Sequence, residues 1–218
     1  MYIHKEGYKF IAFTCLSYAI LSLLILPSQG ISLLFSLISF VFFLGLVFFL
    51  SFFRVPWRQL NTDDAKIISP CDGKIVVVDT VDYPNFGEGA KAIQVSVFMH
   101  LHNVHINRMP ISGRITKVIH KKGKFLPAFR PKSSTLNEHC LIGVRNDNVH
   151  LEFKQIAGAM AKRIRTYCKP GDEVTQSKEM GFILFGSRLD VFLPTSCKVS
   201  CCLGQKVKGG IDSLAFIE

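Results

Sequence analysis

No charged side chain occurs between Phe10 and Phe53. A run that long without charge excludes an ordinary solvated surface and points into a lipid bilayer. Ile31 to Phe53 is 23 residues, about 34 Å as a helix against a hydrocarbon core of roughly 30 Å. Eighteen of the 23 are Leu, Ile, Val or Phe, which favours insertion by roughly 5–10 kcal/mol before Ser32, Ser36, Ser39 and Ser51 subtract from it. Phe10 to Leu26 is shorter and carries Thr14, Ser17 and Ser22. Pro27-Ser28-Gln29-Gly30 breaks the two stretches, so the pattern predicts a transmembrane helical hairpin. A cleaved signal peptide ending at Ser28-Gln29-Gly30 is the competing reading, and the longer span that follows at once argues against it. Lys5, Lys9, Arg54 and Arg58 stand at the outer ends and the connecting turn has no charge, so both ends are expected in the cytoplasm. Trp57, the only tryptophan, falls where an interfacial anchor is expected.

Paired cysteines are also lacking. The seven, at 15, 71, 140, 168, 197, 201 and 202, include no C-x-x-C. That speaks against a zinc ribbon and against a redox motif, and a cytoplasmic domain keeps its thiols reduced. Cys197, Cys201 and Cys202 have no companion cluster that would complete a metal site and read as small buried hydrophobes; no metal is expected. Acidic residues are scarce as well, 16 against 26 Lys and Arg. Residues 1–53 hold only Lys5, Lys9 and Glu6, so +9 of the net +10 belongs to the remainder. So basic a portion is drawn to nucleic acid or to an anionic lipid surface. No nucleic-acid-reading motif occurs, and the apolar hairpin favours the anionic phospholipid membrane.

The remainder reads as one β-rich domain, which divides the chain into 1–60, hairpin and interfacial linker, and 61–218. Strands are expected at Lys74–Val78, Ala92–Met99, Arg114–Ile119, Leu141–Arg145, Val149–Gln155, Phe182–Phe185, Leu189–Leu193 and Lys198–Leu203. Only Ala159–Tyr167 has a helix-compatible composition. Pro70-Cys-Asp-Gly73-Lys-Ile75 returns forty residues later as Pro110-Ile-Ser-Gly113-Arg-Ile115, and Lys169-Pro-Gly-Asp-Glu-Val174 is a third turn feeding a strand. Such repetition suits a mainly β fold of two related halves, a lipoyl-like (barrel-sandwich hybrid) β-sandwich. A basic, partly apolar stretch, His120 to Lys132, with Phe125, Leu126 and Phe129 among its lysines, is expected to meet a lipid surface.

Gly186-Ser187 carries the chemistry. Glycine leaves its acyl carbon unshielded, and the neighbouring hydroxyl can attack that carbonyl once a base removes its proton. Asp72, in Ser69-Pro-Cys-Asp72-Gly, and His105, in Asn103-Val-His105-Ile-Asn-Arg, are the residue types needed for an orienting acid and a base. Read from the residues alone, the same trio fits a membrane-bound serine hydrolase, and the β-rich remainder fits a tethered lipoyl-like adaptor. Together with Gly-Lys-Phe-Leu-Pro-Ala-Phe-Arg-Pro-Lys-Ser-Ser (123–134), Gln155-Ile-Ala-Gly-Ala, Lys169-Pro-Gly-Asp and Phe185-Gly-Ser-Arg188, these segments resemble the short, membrane-anchored members of the phosphatidylserine decarboxylase family.

The resemblance implies a proenzyme in which Asp72, His105 and Ser187 cut the chain into 1–186 and 187–218. It implies that Ser187 becomes a pyruvoyl group that decarboxylates phosphatidylserine to phosphatidylethanolamine. No amino-acid side chain offers an electrophilic carbonyl, so such an enzyme must borrow one or make one. His102, three residues before His105, matches the place of a histidine used for decarboxylation in longer members. Arg108, Arg130 and Lys132 are candidates for the head-group phosphate. A homodimer of processed heterodimers at the cytoplasmic membrane, catalytic domain in the cytoplasm, completes the expectation.

Overall fold

A computed structural model describes residues 1–29, 33–130, 132–159 and 163–217. It divides into two compact units, Met1–Trp57 and Arg58–Glu218.

The first unit is an antiparallel helical hairpin. Strand β1 (Tyr2–Ile3) pairs with β2 (Arg54–Val55), and between them run α1 (Tyr8–Gln29) and α2 (Leu33–Phe52). Both helices are long and apolar enough to cross a membrane. Phe10 packs on Phe49 and Phe53, and farther along Tyr18 packs on Phe42. The Tyr18 hydroxyl lies 3.0 Å from Ser39 Oγ, so two polar groups inside the apolar stretch satisfy each other. Helix α1 continues through Pro27 to Gln29, beyond the stop expected at Leu26. Gly30, the last residue of the expected break, lies outside the described residues, as do Ile31 and Ser32. Trp57 is 81% exposed, edge-on to Tyr2.

The second unit is mainly β. In chain order come β3 (Lys66–Ile68), β4 (Gly73–Asp82), β5 (Lys91–Met99), β6 (Ile106–Arg108) and β7 (Gly113–Lys121). A single helical turn, α3 (Ser133–Leu136), precedes β8 (His139–Arg145), β9 (His150–Ala157) and β10 (Ile164–Thr166). Then follow β11 (Glu173–Val174), β12 (Glu179–Ile183), β13 (Ser187–Pro194), β14 (Lys198–Val199), β15 (Lys206–Val207) and β16 (Ser213–Phe216). Eight strands form one curled sheet in the order β11-β7-β8-β9-β13-β5-β4-β15. Two three-stranded sheets, β10-β12-β6 and β14-β16-β3, complete the unit around one apolar core.

The forty-residue echo in the sequence extends through the whole topology. Strand β4 carries a register shift between Ile75 and Val77 against β5, and β7 carries one between Ile115 and Lys117 against β8. Each is flanked by a two-residue strand entering from far along the chain, β15 on β4 and β11 on β7. The small sheets repeat the pattern, with shifts between Ser213 and Ala215 in one and Glu179 and Gly181 in the other. One half is the continuous segment β6–β12. The other is β3–β5 completed by β13–β16, so the first half is inserted between Met99 and Ser187.

Three expectations change. The Ala159–Tyr167 stretch holds strand β10 at Ile164–Thr166, while Met160–Lys162 lie outside the described residues. Pairing with β12 from Ile164↔Ile183 to Thr166↔Gly181 outweighs the weak helical composition. Of Lys198–Leu203 only Lys198–Val199 is strand. Cys197 and Cys201 are buried, but Cys202 is exposed, in the turn where its N–H donates to Gln205 Oε1 at 3.0 Å.

His139, at the start of β8, is held below its ordinary pKa of 6.5, chiefly by burial, with Lys154, Lys121 and His120 adding to the effect and the Asn137 carbonyl opposing it. The folded chain therefore binds fewer protons than the unfolded one as the pH approaches 6.5 from above. The stability this neutral histidine contributes is present above about 6.5 and is lost as the pH falls toward the depressed folded value. Thermal unfolding between pH 8 and 5.5 is expected to show melting temperature falling on acidification, with a shallower fall in His139→Gln. An equal slope in the variant would contradict it.

Candidate active site

Strand β13 lies in the middle of the large sheet, and its first residue is Ser187. Register puts Ser187 between Met99, the last residue of β5, and Ala157, the last of β9. Two neighbours therefore hold this residue by backbone pairing, and its side chain is fully buried. The Ser187 hydroxyl rests 3.8 Å from Met99 Sδ. A buried polar relay holds that methionine: Asn107 Nδ2 also reaches Met99 Sδ at 3.8 Å, Gln155 Nε2 donates to Asn107 Oδ1 at 2.8 Å, and Thr166 Oγ1 donates to Gln155 Oε1 at 2.6 Å.

The chain enters this strand through a strained turn. Phe185 has φ +57° and Gly186 has φ +77°. Glycine takes that conformation without penalty, whereas an aromatic residue there costs of order 1–3 kcal/mol. The Gly186 carbonyl lies against Gly158. A Cβ added at 158 would press into the Gly186 oxygen, come 3.2 Å from its carbon and 3.4 Å from the Ala128 methyl.

His105 meets this turn from 81 residues away. Its ring is fully buried, Nδ1 is 2.9 Å from the Asn103 carbonyl, and the Gly186 N–H donates to Nε2 at 3.4 Å. The two contacts assign the tautomer: Nδ1 carries the proton, and the Nε2 lone pair accepts the Gly186 N–H, one peptide before the Gly186–Ser187 bond. Asn103 is itself fastened, its N–H to the His100 carbonyl at 2.9 Å and its Oδ1 to the His100 N–H at 2.8 Å.

Asp72 is engaged differently. Arg58 grips both carboxylate oxygens, Nη1 to Oδ1 at 2.5 Å and Nη2 to Oδ2 at 2.6 Å, and the Gly209 N–H donates to Oδ1 at 2.9 Å. In the other half of the repeat the matching position is Ser112, whose Oγ accepts the Gln176 N–H at 3.0 Å. The carboxylate thus closes a turn that both halves share, and the group on His105 Nδ1 is a backbone carbonyl. Burial, and after it the Asp72 charge, pushes the Cys71 thiol well up, so it stays protonated.

A cleft of about 210 Å³ opens over the turn, lined by Phe98, His100, Leu101, Pro127–Phe129, Gly158, Ala159 and Phe185–Gly186. Apart from His100 it is apolar. Burial, then the neighbouring His102 and Lys74, hold His100 below the usual histidine range. His102 is exposed and stacks on His100 at 5.5 Å, nearly parallel, so of this pair His100 lines the cleft. Arg130 and Lys132 are exposed in the segment that follows Phe129, with Lys121, Lys122 and Lys124 on the same stretch. Arg108 is buried elsewhere, its Nη1 donating to the Ser177 carbonyl at 2.9 Å. Sequence reasoning missed Met99, Asn103, His100 and the role of Gly158. Gly158 and Asn103 had a signal, their places in Gln155-Ile-Ala-Gly-Ala and Asn103-Val-His105.

A model of the family described as phosphatidylserine decarboxylase matches residues 46–215. Curated relatives called "Phosphatidylserine decarboxylase proenzyme" align over most of their own length. One from Desulfotalea psychrophila is 37% identical over 99% of this chain and 96% of the relative. One from Cytophaga hutchinsonii is 40% identical over 99% and 98%. One from Amoebophilus asiaticus is 46% identical over 77% and 75%.

Proposed function

The chain belongs to the phosphatidylserine decarboxylase family, and on that basis we propose that it is a proenzyme that cuts itself between Gly186 and Ser187 and then converts phosphatidylserine to phosphatidylethanolamine and CO₂. The observation that carries the reading is the arrangement of one bond: a buried serine after a left-handed glycine, with an unprotonated imidazole nitrogen at that glycine's N–H.

In this reading Ser187 Oγ, which rests against Met99 Sδ in the structure, turns to attack the Gly186 carbonyl carbon through a five-membered ring. His105 Nε2 takes the hydroxyl proton, and the C–N bond breaks as the amine gains a proton, leaving an ester. Removal of the Ser187 Cα proton then expels the Gly186 carboxylate from Cβ, and water converts the remaining enamine to a ketone with loss of ammonia. The strain at Phe185 and Gly186 is released when their link to β13 is cut. A pyruvoyl group at 187 would fit the site, because pairing of β13 with β5 and β9 from Arg188 onward holds that position without the upstream chain. When present, it supplies the electron-withdrawing carbonyl that decarboxylation requires. His100, His102 and the rest of the cleft wall are the groups at hand to move protons there. Asp72 enters this reading through its pair with Arg58, which supports the loop preceding β4.

An apolar cleft next to a basic segment carrying exposed Phe125 and Phe129 suits a lipid with an anionic head group. Arg130 and Lys132 are the cations nearest to hand for its phosphate. The antiparallel hairpin brings both its ends to one side, and the flanking Lys5, Lys9 and Arg54 favour the cytoplasmic side of the cell membrane for residues 61–218. The homodimer of processed units rests on the resemblance alone; sedimentation in detergent tests it.

Intact mass under denaturing conditions is the deciding measurement. Two species, 1–186 and 187–218, with the smaller reducible by borohydride, and CO₂ release from phosphatidylserine are expected. A single uncut chain that still releases CO₂, or a cut chain that borohydride leaves unaltered, overturns the proposal.

A further inference from the structure

Alternate residues of β13 face opposite ways. Ser187, Leu189 and Val191 share one face with the apolar core. Arg188 and Asp190 share the other, where the residues opposite Asp190 are Ser96 on β5 and Lys154 on β9. Arg188 and Asp190 are both essentially unexposed. Asp190 Oδ1 accepts Arg188 Nε at 2.5 Å, and Oδ2 accepts Ser134 Oγ at 2.5 Å and Gln94 Nε2 at 3.2 Å. Arg188 Nη2 donates onward to Ser96 Oγ at 2.9 Å.

Ser134 belongs to α3, the short turn after the cleft wall. Its neighbour Ser133 donates its hydroxyl to the carbonyls of Ala128 at 2.9 Å and Arg130 at 2.7 Å. Lys154 Nζ donates to the Ser134 carbonyl at 3.2 Å. The Pro127–Phe129 wall is thus folded onto Ser133, and Ser134 fastens it to the carboxylate that also holds Arg188. Hydroxyl-to-carboxylate bonds in a buried setting are short and about twice as strong as neutral ones. Such a buried network has little reason to exist for the cut itself, whose groups lie on the opposite face of β13 and in the turn before it.

We propose that Asp190 is a positioning residue for decarboxylation, holding position 187 through Arg188 and the Pro127–Phe129 cleft wall through Ser134, so that the wall keeps a fixed distance from the reactive group. The inference rests on the proposed function. Once the bond before Ser187 is cut, β13 has no covalent hold at that end, and one carboxylate ties its start to the surface against which the lipid lies. Loosening Ser134 is therefore expected to weaken lipid binding and to spare the cut.

The test uses the full-length enzyme in detergent, wild type beside Ser134→Ala and Ser134→Thr. Intact mass reports processing, a short-chain phosphatidylserine in mixed micelles gives KM and kcat, and hydrogen exchange reports the backbone of 128–130. Ser134→Ala is expected to be fully cut, with KM raised about tenfold, kcat nearly unchanged and faster exchange at 128–130. Ser134→Thr, which restores the hydroxyl, is expected to restore all three. Wild-type KM and exchange in Ser134→Ala overturn the proposal. So does a loss spread equally over processing, kcat and KM that threonine does not restore, since that marks a general folding role. Failure of the wild-type chain to cut itself or to release CO₂ is a different result, and refutes the proposed function instead.

Discussion

Replacing Ser187 with alanine is expected to leave one uncut chain with no decarboxylase activity. The variant removes the atom that, in the proposed reaction, displaces the Gly186–Ser187 amide and supplies the ketone, so the loss should be complete. The fold should survive: the Ser187 side chain gives up one weak contact with a thioether, while backbone pairing to Met99 and Ala157 is untouched. Intact mass and thermal unfolding separate the two effects, and a Ser187→Ala chain still cut at 186 removes the assignment. His105→Ala is the companion. It keeps the nucleophile and removes Nε2 from the scissile turn, so cutting should slow by roughly 10²–10⁴, as expected when a positioned base is lost. Normal processing in that variant would leave His105 a structural role, bonded to the Asn103 carbonyl and the Gly186 N–H and packed near Phe182.

Gly158→Ala is expected to stop or greatly slow the same cut although residue 158 donates nothing to the chemistry. Its Cβ has nowhere to go, because the Gly186 carbonyl oxygen occupies that space and Ala128 closes the other side. The carbonyl must move away, and it is the group that Ser187 attacks. A displacement near 1 Å at a reacting centre costs on the order of a hundredfold in rate. Incubating purified precursor and following the uncut fraction by mass gives the rate directly. Cutting at the wild-type rate would mean that the carbonyl does not sit against Gly158 when the reaction occurs.

The hairpin was legible because hydropathy needs no partner to be read. So were most strands of the second unit, since glycine and proline punctuate them and apolar residues fill them. The forty-residue echo is instructive: Gly73 and Gly113 start strands under the carbonyls of Phe98 and Arg145, and both strands shift register at the same step. Two short matches stood for a repeated topology of many strands. Strand β10 was missed because its three residues owe their conformation to β12 and to nothing in their own composition.

At the site, Gly186-Ser187 and His105 could be picked out as residue types, and family segments tied them together. Asp72 was picked out as an orienting acid, and the folded chain has its carboxylate in the grip of Arg58, a residue that flank charge alone had assigned to membrane orientation. Ser134 and Asp190 lay in recognised segments but were given no role, because a serine in a basic loop and an aspartate in a strand are ordinary until they meet.

What the amino-acid order determined by itself is local: a charge-free span too apolar for water, turns where only glycine or proline fits, and a peptide bond chemically prone to attack. Tertiary structure alone decided which imidazole nitrogen meets the turn before that bond, which glycine shelters its carbonyl, and which carboxylate fastens the cleft wall. The reason is physical. Those relations join residues tens of positions apart through strand order and register, and cooperative pairing across a whole sheet leaves no mark on any single stretch of chain.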